Sequence, residues 1–574
     1  MLAEFCDRFG HRLVGSRALE ESIDYLVARL QADGLENVHV EAATNLPNWT
    51  RGDESAVLTS PTLGGGRAAQ LRILALGYSA GTPPEGIEAP VVVAADWRAL
   101  DDLGAGGKLN GRIVLLNPVW RGYGDTVTYR VNGASRAARH SAAAVLVRSM
   151  APFSLANPHT GLGSDTGNTT AIPTASIATE DADMLARMAR RGWNVRVRLT
   201  LGATTSSESV TSRVVVAELR GTDLAHEVVL LSGHLDSWDV GYGALDDGAG
   251  MAISWRALAL LSRLGLRPRR TLRFVGWVGE EWGAGSTTYW REHADEAANI
   301  TLAAESDSGV FAPAALQLSA PVAAHAMARA VGRLISDAGG VGGVTPGGEG
   351  ADISPAMALG VPGASLETRA NTWFRQRGEW NASGPAGSKF QGDYFMFHHS
   401  AADTVSLLDP AQMDASLATW ASFAFVFANL TAPLPRGVPA GSAQLVAELG
   451  DESNVPHPPM CGPEWEPPMG GGGGAADGGG GLSAAQVALL AFSAAMAGAG
   501  AVWLMLVPFG RQQHGHSHDW PATRAPPPVA RPVVARPVPV VPYRRLAGSE
   551  AEESGAAGAA EQGAATMTST TGQP

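Results

Sequence analysis

Two histidines and a group of carboxylates stand at the ends of apolar runs, a combination suited to metal-assisted hydrolysis. The segment SGHLDSWDVGYGALDDGAG, residues 232–250, closes an apolar run on His234 and follows it with Asp236, Asp246 and Asp247. A strand-end histidine offers a neutral nitrogen to a metal, and Asp236 can reach back to the other ring nitrogen and fix the tautomer. A carboxylate has two oxygens, so one aspartate can bridge two cations. Taken alone, the histidine–aspartate pair is a weak signal and reads better as a satisfied strand-end histidine. Further on, Glu280-Glu281 closes TLRFVGWVG, Asp307 follows ITLAAES, and His399 follows YFMFH. Adjacent carboxylates after a long apolar run are costly to bury unless they are paired or bound to metal. With one of them on a metal, the other stands free as a general base toward a metal-bound water. Together His234, Asp246, Glu281, Asp307 and His399 form a nitrogen and oxygen donor set that suits zinc better than magnesium or calcium. The expectation is a two-zinc hydrolase. In GGEGADI, Glu349 and Asp352 can receive a free α-amino group, or Glu349 can simply cap the following turn.

These residues need a scaffold that gathers strand ends. After residue 212 the pattern alternates: VVVAEL from 214 and VVLLSGH from 228 as buried strands, GMAISWRALALLSRLG from 250 as a helix, TLRFVGWVGEE from 271 as a strand. Continuous apolar strands alternating with helices predict a mixed, mostly parallel α/β sheet covered by helices on both faces. Such sheets place ligands at the carboxyl ends of their strands. A helix is also predicted near 409–432. Residues 1–50 give an amphipathic helix (Ile23, Leu26, Leu30) and a short strand from Val38 to Glu41. Between about 60 and 205 the texture changes to short β runs broken by Gly, Pro and Asn, which predicts a compact β-rich insert with one or two helices. The expected division is a catalytic domain from 1–60 and 206–435 with an insert at 61–205.

Beyond 435 the composition leaves the globular regime. Residues 436–481 are expected as a Pro- and Gly-rich linker. From Leu482 to Phe509 no residue is charged, and roughly 20 apolar residues suffice to cross a bilayer. That segment is a candidate transmembrane helix, although its Ala and Gly content also fits an Ala-rich disordered or buried helix. Arg511, Arg524, Arg531, Arg536, Arg544 and Arg545 follow it, which would place the catalytic domain on the luminal or outer side. The tail at 510–574 is expected to be disordered. It carries His514, His516 and His518, a weak metal site or a solvated stretch.

The net charge of −13 and the absence of a basic stripe exclude nucleic acid as a partner. Two cysteines, Cys6 and Cys461, cannot make a disulfide framework or a zinc finger. Sequons at Asn48, Asn168, Asn299, Asn381 and Asn429 tilt the location toward a secretory compartment, extracellular or lysosomal. The first thirty residues lack a signal peptide and look folded, so the start is read as truncated.

The same segments carry a family resemblance. HLDSWDVG, DDGAG, the Glu pair, ESD, GEGADI, GVPGAS and HHSAADT, with GTPPEGI and PHTG in the insert, resemble the M28 metallopeptidases over about residues 8–435. The resemblance implies a zinc exopeptidase fold with a protease-associated-like insert. It implies that His234 and Asp307 bind one zinc, Glu281 and His399 the other, and that Asp246 bridges them. Glu280 would be the catalytic base and Asp236 would orient His234. The Asp246–Asp247 peptide is often cis in this family, and a homodimer is implied. The chain departs from the pattern at 368–392, close to the expected substrate mouth. The activity implied is hydrolysis of small peptides, dipeptides foremost. An aminopeptidase of the same clan and a non-catalytic membrane-anchored ectodomain are the alternatives. A third, the glutamate carboxypeptidase II and transferrin-receptor branch, typically has Asp-Pro where this chain has Asp246-Asp247.

Overall fold

The computed structural model describes residues 1–64, 66–163, 171–348, 350–369 and 394–449. Glu349, Cys461, the 482–509 segment, the tail and nearly all of 368–392 lie outside the described residues. Among the described residues no helix is long and apolar enough to cross a membrane.

Two eight-stranded sheets organise the chain. The first runs in the order Glu36–Leu46, Val210–Leu219, Arg270–Trp277, Leu224–His234, Ile300–Glu305, Gly363–Arg369, Ala312–Ser319, Val344–Pro346. Its centre is parallel, from Arg270–Trp277 through Leu224–His234 and Ile300–Glu305 to Gly363–Arg369. These strands are buried along nearly their whole length, which is why they read as continuous apolar runs. Helices Ala249–Arg263 and Pro410–Asn429 pack together over the sheet. Trp420 Nε1 donates to Ser254 Oγ at 3.1 Å, and that hydroxyl donates to the Ser232 carbonyl at 2.8 Å, tying helix to helix to strand.

At the amino end, Ser16 caps helix Arg17–Ala32, which buries Leu19, Ile23, Leu26 and Leu30. The following strand reaches from Glu36 to Leu46, longer than the predicted Val38–Glu41. It is extended by antiparallel pairing with Val210–Leu219, a tertiary contact invisible in local composition.

The second sheet is drawn from Glu54 to Leu201. Four of its strands are parallel: Ile87–Ala94, Ile113–Leu116, Ala144–Arg148 and Thr174–Ile177. Parallel neighbours require crossovers, and three helices lie between or after them: Trp97–Ala105, Tyr123–Ala138 and Thr179–Arg190. The insert thus holds three helices where one or two were expected. They run to 9, 16 and 12 residues and are interleaved with the short strands whose β texture dominates the stretch. In the stretch expected as linker, Ser442–Leu449 is helical and buries Leu445 beside helix Val322–Asp337.

Candidate metal centre

Sheet register builds the site. His234 pairs with Trp277 and Ser232 with Glu305, so three parallel strands release their chains side by side. Glu280 and Glu281 follow one strand, Asp307 follows another, and His234 closes the central one. Asp246 enters from the loop after His234, and its peptide bond to Asp247 is cis, as the resemblance implied. His399 arrives from beyond the short helix Tyr394–Phe397, with φ at 58° in the left-handed region. Its carbonyl accepts from the Thr160 N–H of the insert at 2.7 Å.

The five expected ligands and Glu280 converge in two groups. His234, Glu280 and Asp307 form one, and Asp246, Glu281 and His399 form the other. His234 Nε2 lies 3.1 Å from Asp246 Oδ1 and 3.5 Å from Asp307 Oδ1. His399 Nε2 lies 2.9 Å from Glu281 Oε2 and 3.2 Å from Asp246 Oδ2. Asp246 therefore turns one oxygen to each imidazole. Ligands about 2.0–2.1 Å from a tetrahedral zinc sit roughly 3.3–3.4 Å apart, so these spacings fit a zinc in each group. Asp246 Oδ2 is buried with no hydrogen-bond partner, a cost that a cation would remove. The four carboxylates of the two groups outnumber their two imidazoles, and a pair of divalent ions would balance their charge.

The electrostatics agree. Burial pushes the Glu280 carboxyl well above its ordinary range, and Asp307, Glu281 and Asp352 push it further. Glu281 is raised to about 7 by burial and by Asp246, against the opposing pull of His399. Asp246 goes the other way. Burial would raise it, but the His234 and His399 imidazoles, one facing each of its oxygens, hold it well below the carboxylate range.

Asp236 requires a correction. Its carboxylate does not hold the His234 ring: Oδ1 is 3.8 Å from Nδ1. The Asp236 backbone carbonyl does so instead, accepting from Nδ1 at 3.0 Å and leaving Nε2 bare for a metal. The Asp236 side chain accepts from the N–H groups of Gly279 at 2.8 Å, Glu280 at 3.3 Å and Glu281 at 3.4 Å. It thus fixes the turn that carries the two glutamates. Asp352 is buried, its Oδ2 is without a partner, and burial raises its carboxyl to about 7.

Sequence reasoning missed three positioning groups. Asp403 accepts from the N–H groups of Ala244, Leu245 and Asp246 at 3.0, 2.6 and 3.2 Å, clamping the bridging loop. Asp247 accepts from the His234 N–H at 3.0 Å and the Gly250 N–H at 3.1 Å. Tyr394 directs its hydroxyl to Asp307 Oδ1 at 3.4 Å. The first two stand inside the quoted motifs DDGAG and HHSAADT, which was the available signal. Above the carboxylates lies a cavity of about 310 Å³, lined also by Tyr123, Arg130 and Leu162 of the insert.

Comparison with known proteins accords with this geometry. Residues 214–424 match the model for peptidase family M28. Carboxypeptidase Q of Mus musculus is 43% identical over 75% of this chain and 85% of its own length. The Homo sapiens protein of that name is 42% identical over 76% and 86%. Among solved structures, a peptidase M28 precursor from Shewanella amazonensis is similar with a TM-score of 0.67 at 32% identity, over 77% of this chain and 94% of that one. A zinc aminopeptidase from Bacillus subtilis shares the fold, with a TM-score of 0.53 at 19% identity over 74% and 93%. The chain belongs to peptidase family M28 and, with this donor set, is a zinc metallopeptidase.

Proposed function

We propose that the chain is a two-zinc exopeptidase that hydrolyses small unblocked peptides, dipeptides foremost, in the manner of the carboxypeptidase Q proteins it resembles. The observation that carries this is Asp246, a buried carboxylate shared between two imidazole-containing groups with one oxygen otherwise orphaned. A cavity of about 310 Å³ also sits at the small end of ligand sites and suits a short peptide.

When bound, the ions supply a polarised carbonyl and a water of lowered pKa. The chain's own residues do the rest. Glu280 Oε2 stands 3.8 Å from His234 Nε2 and serves as general base, with the Asp236 clamp on its backbone aiming it. It takes the proton from water as the oxygen–carbon bond forms. It then passes that proton to the leaving amine nitrogen as the carbon–nitrogen bond breaks. Tyr394 adds a hydroxyl near Asp307, where negative charge develops on the carbonyl oxygen. Asp352 receives the free α-amino group. The other half of that expectation, Glu349, lies outside the described residues.

The test is Glu280→Gln: zinc retained with activity lost supports the assignment, and full activity with zinc retained sinks it. An aminopeptidase preference is the second reading, favoured by the unpartnered Asp352 oxygen beside the glutamates. Turnover of aminoacyl-arylamides above that of free dipeptides would establish it. Unchanged turnover of N-acetylated dipeptides would remove the role of Asp352.

A secretory location is part of the proposal. Of the sequons within the described residues, Asn299 is exposed and open to a glycan. Asn429 is not: its amide donates to the Phe425 carbonyl at 2.7 Å and accepts from the Arg269 N–H at 3.3 Å. A mobility shift on glycosidase treatment that Asn299→Gln abolishes is the expected result.

A further inference from the structure

Arg130 is a buried cation with no carboxylate partner among the described residues, and the insert sets it against the metal centre. It lies on helix Tyr123–Ala138 and is 4% exposed. Its Nε donates to the Leu162 carbonyl at 3.1 Å, Nη1 to the Thr160 carbonyl at 3.2 Å, and Nη2 to the Tyr123 hydroxyl at 2.9 Å. All three acceptors are neutral. They use three of the five guanidinium N–H groups and leave the charge without a counter-ion.

The remaining contact is with His399 Nδ1, 3.4 Å from Nη1. His399 turns Nε2 to Glu281 and Asp246. Once Nε2 is committed to a metal, the neutral ring carries its hydrogen on Nδ1, so donor faces donor. One N–H on each terminal nitrogen is then left for an acceptor from outside the protein. A planar cation offering paired donors is matched by a carboxylate.

The guanidinium is also held rigidly. Gly161 has φ at +131°, and a Cβ there would fall 2.4 Å from Arg130 Cζ and Nη1 and 2.7 Å from His399 Nδ1. Only a glycine lets the chain pass flat against both rings while the flanking carbonyls grip the fork. Arg130 lines the same cavity as Asp246, Glu280 and Asp307. Because it touches a ligand residue directly, its carboxylate partner lies about one residue from the scissile bond, where successive Cα atoms are about 3.8 Å apart.

We propose that Arg130 is the subsite for the C-terminal α-carboxylate of the substrate, contributed by the insert, and that it limits the enzyme to peptides ending one residue beyond the cleaved bond. This rests on the peptide-hydrolase assignment above. It assigns the insert a role in specificity as well as in covering the site.

The experiment uses the zinc-loaded full chain and compares a dipeptide with its C-terminal amide. Wild type should favour the free acid in kcat/KM by about 10- to 100-fold, the range for a charge-assisted pair. Arg130→Met should bring that ratio within about threefold, mainly by loss on the acid, with zinc content unchanged. Calorimetry with a dipeptide whose peptide bond is reduced to a methylene-amine should show the same split between acid and amide. Arg130→Lys should fall between, since it keeps the charge and loses the fork. Equal wild-type turnover of acid and amide would overturn the carboxylate subsite while leaving peptide hydrolysis intact. So would an Arg130→Met variant that loses zinc, or that falls equally on both substrates. Failure of wild type to cleave any peptide would overturn the functional assignment instead, and the calorimetric comparison would still decide Arg130.

Discussion

Each of the two sheets carries four adjacent parallel strands with helices between them, yet their carboxyl ends do different things. In the catalytic sheet those ends release Glu280, Glu281 and Asp307 into one cavity of about 310 Å³, with His234 fully buried beside them. In the insert the equivalent edge borders a larger hollow, about 970 Å³, lined by Val91, Asn117, Trp120, Arg148 and Asp183 among others. Arg148 is committed to the carbonyls of Ala151 and Pro152, and its distance to Asp183 is 3.9 Å. Parallel topology therefore makes a hollow at the strand ends in both places. Only in one does the sequence fill the edge with donors that cannot satisfy each other. The size of a cavity is a poor guide here, and the orphaned donor is a good one.

The sharpest way to break this contrast is to remove the base. Glu280→Gln should lower kcat by about 10²- to 10⁴-fold with zinc retained, measured by steady-state kinetics beside metal analysis. Next comes Asp403→Ala, which strips a buried carboxylate from three backbone N–H groups. It should cost about 3 kcal/mol in denaturant unfolding and weaken zinc affinity about 10- to 100-fold through a displaced Asp246. The matching change at the other edge, Arg148→Met, should cost about 1–3 kcal/mol and leave kcat within about twofold. Loss of activity there would erase the distinction between the two edges.

The smallest effect concerns pH. Glu180 accepts from the N–H groups of Ser154, Leu155 and Ala156 and from the Ser154 hydroxyl, at 3.1, 2.9, 3.2 and 2.7 Å. Burial opposes ionisation, but these donors pull its carboxyl down to about 2. A carboxyl lower in the folded than the unfolded state stabilises fully above its ordinary pKa and loses that contribution as pH falls toward the folded value. The stability gap between wild type and Glu180→Gln should therefore be full at neutral pH and close between about pH 4.5 and 2. Activity at neutral pH should not change.

Much of the catalytic sheet was legible because its strands are buried on both faces and end in charges, a pattern visible within ten residues. The metal donors were legible for the same reason: DD, EE and HH after apolar runs have no cheap structural explanation. What was not legible acts across long separations. Asp403 clamps residues 157 to 159 positions away, and Arg130 meets His399 across 269. An arginine inside YGDTVTYRVNGASRAA has nothing local to distinguish it from a solvated helical residue. Asp236 was placed next to the right histidine with the wrong atom, since spacing gives proximity and not which of carbonyl and carboxylate points at the ring.

The central claim is that one buried aspartate joins two metal-binding groups, and zinc content per folded chain tests it most directly. Wild type purified without chelators should hold two equivalents, and Asp246→Ala should lose zinc from both groups while remaining folded by circular dichroism. A wild type that holds one equivalent or none, or an Asp246→Ala variant that keeps two, would contradict the account.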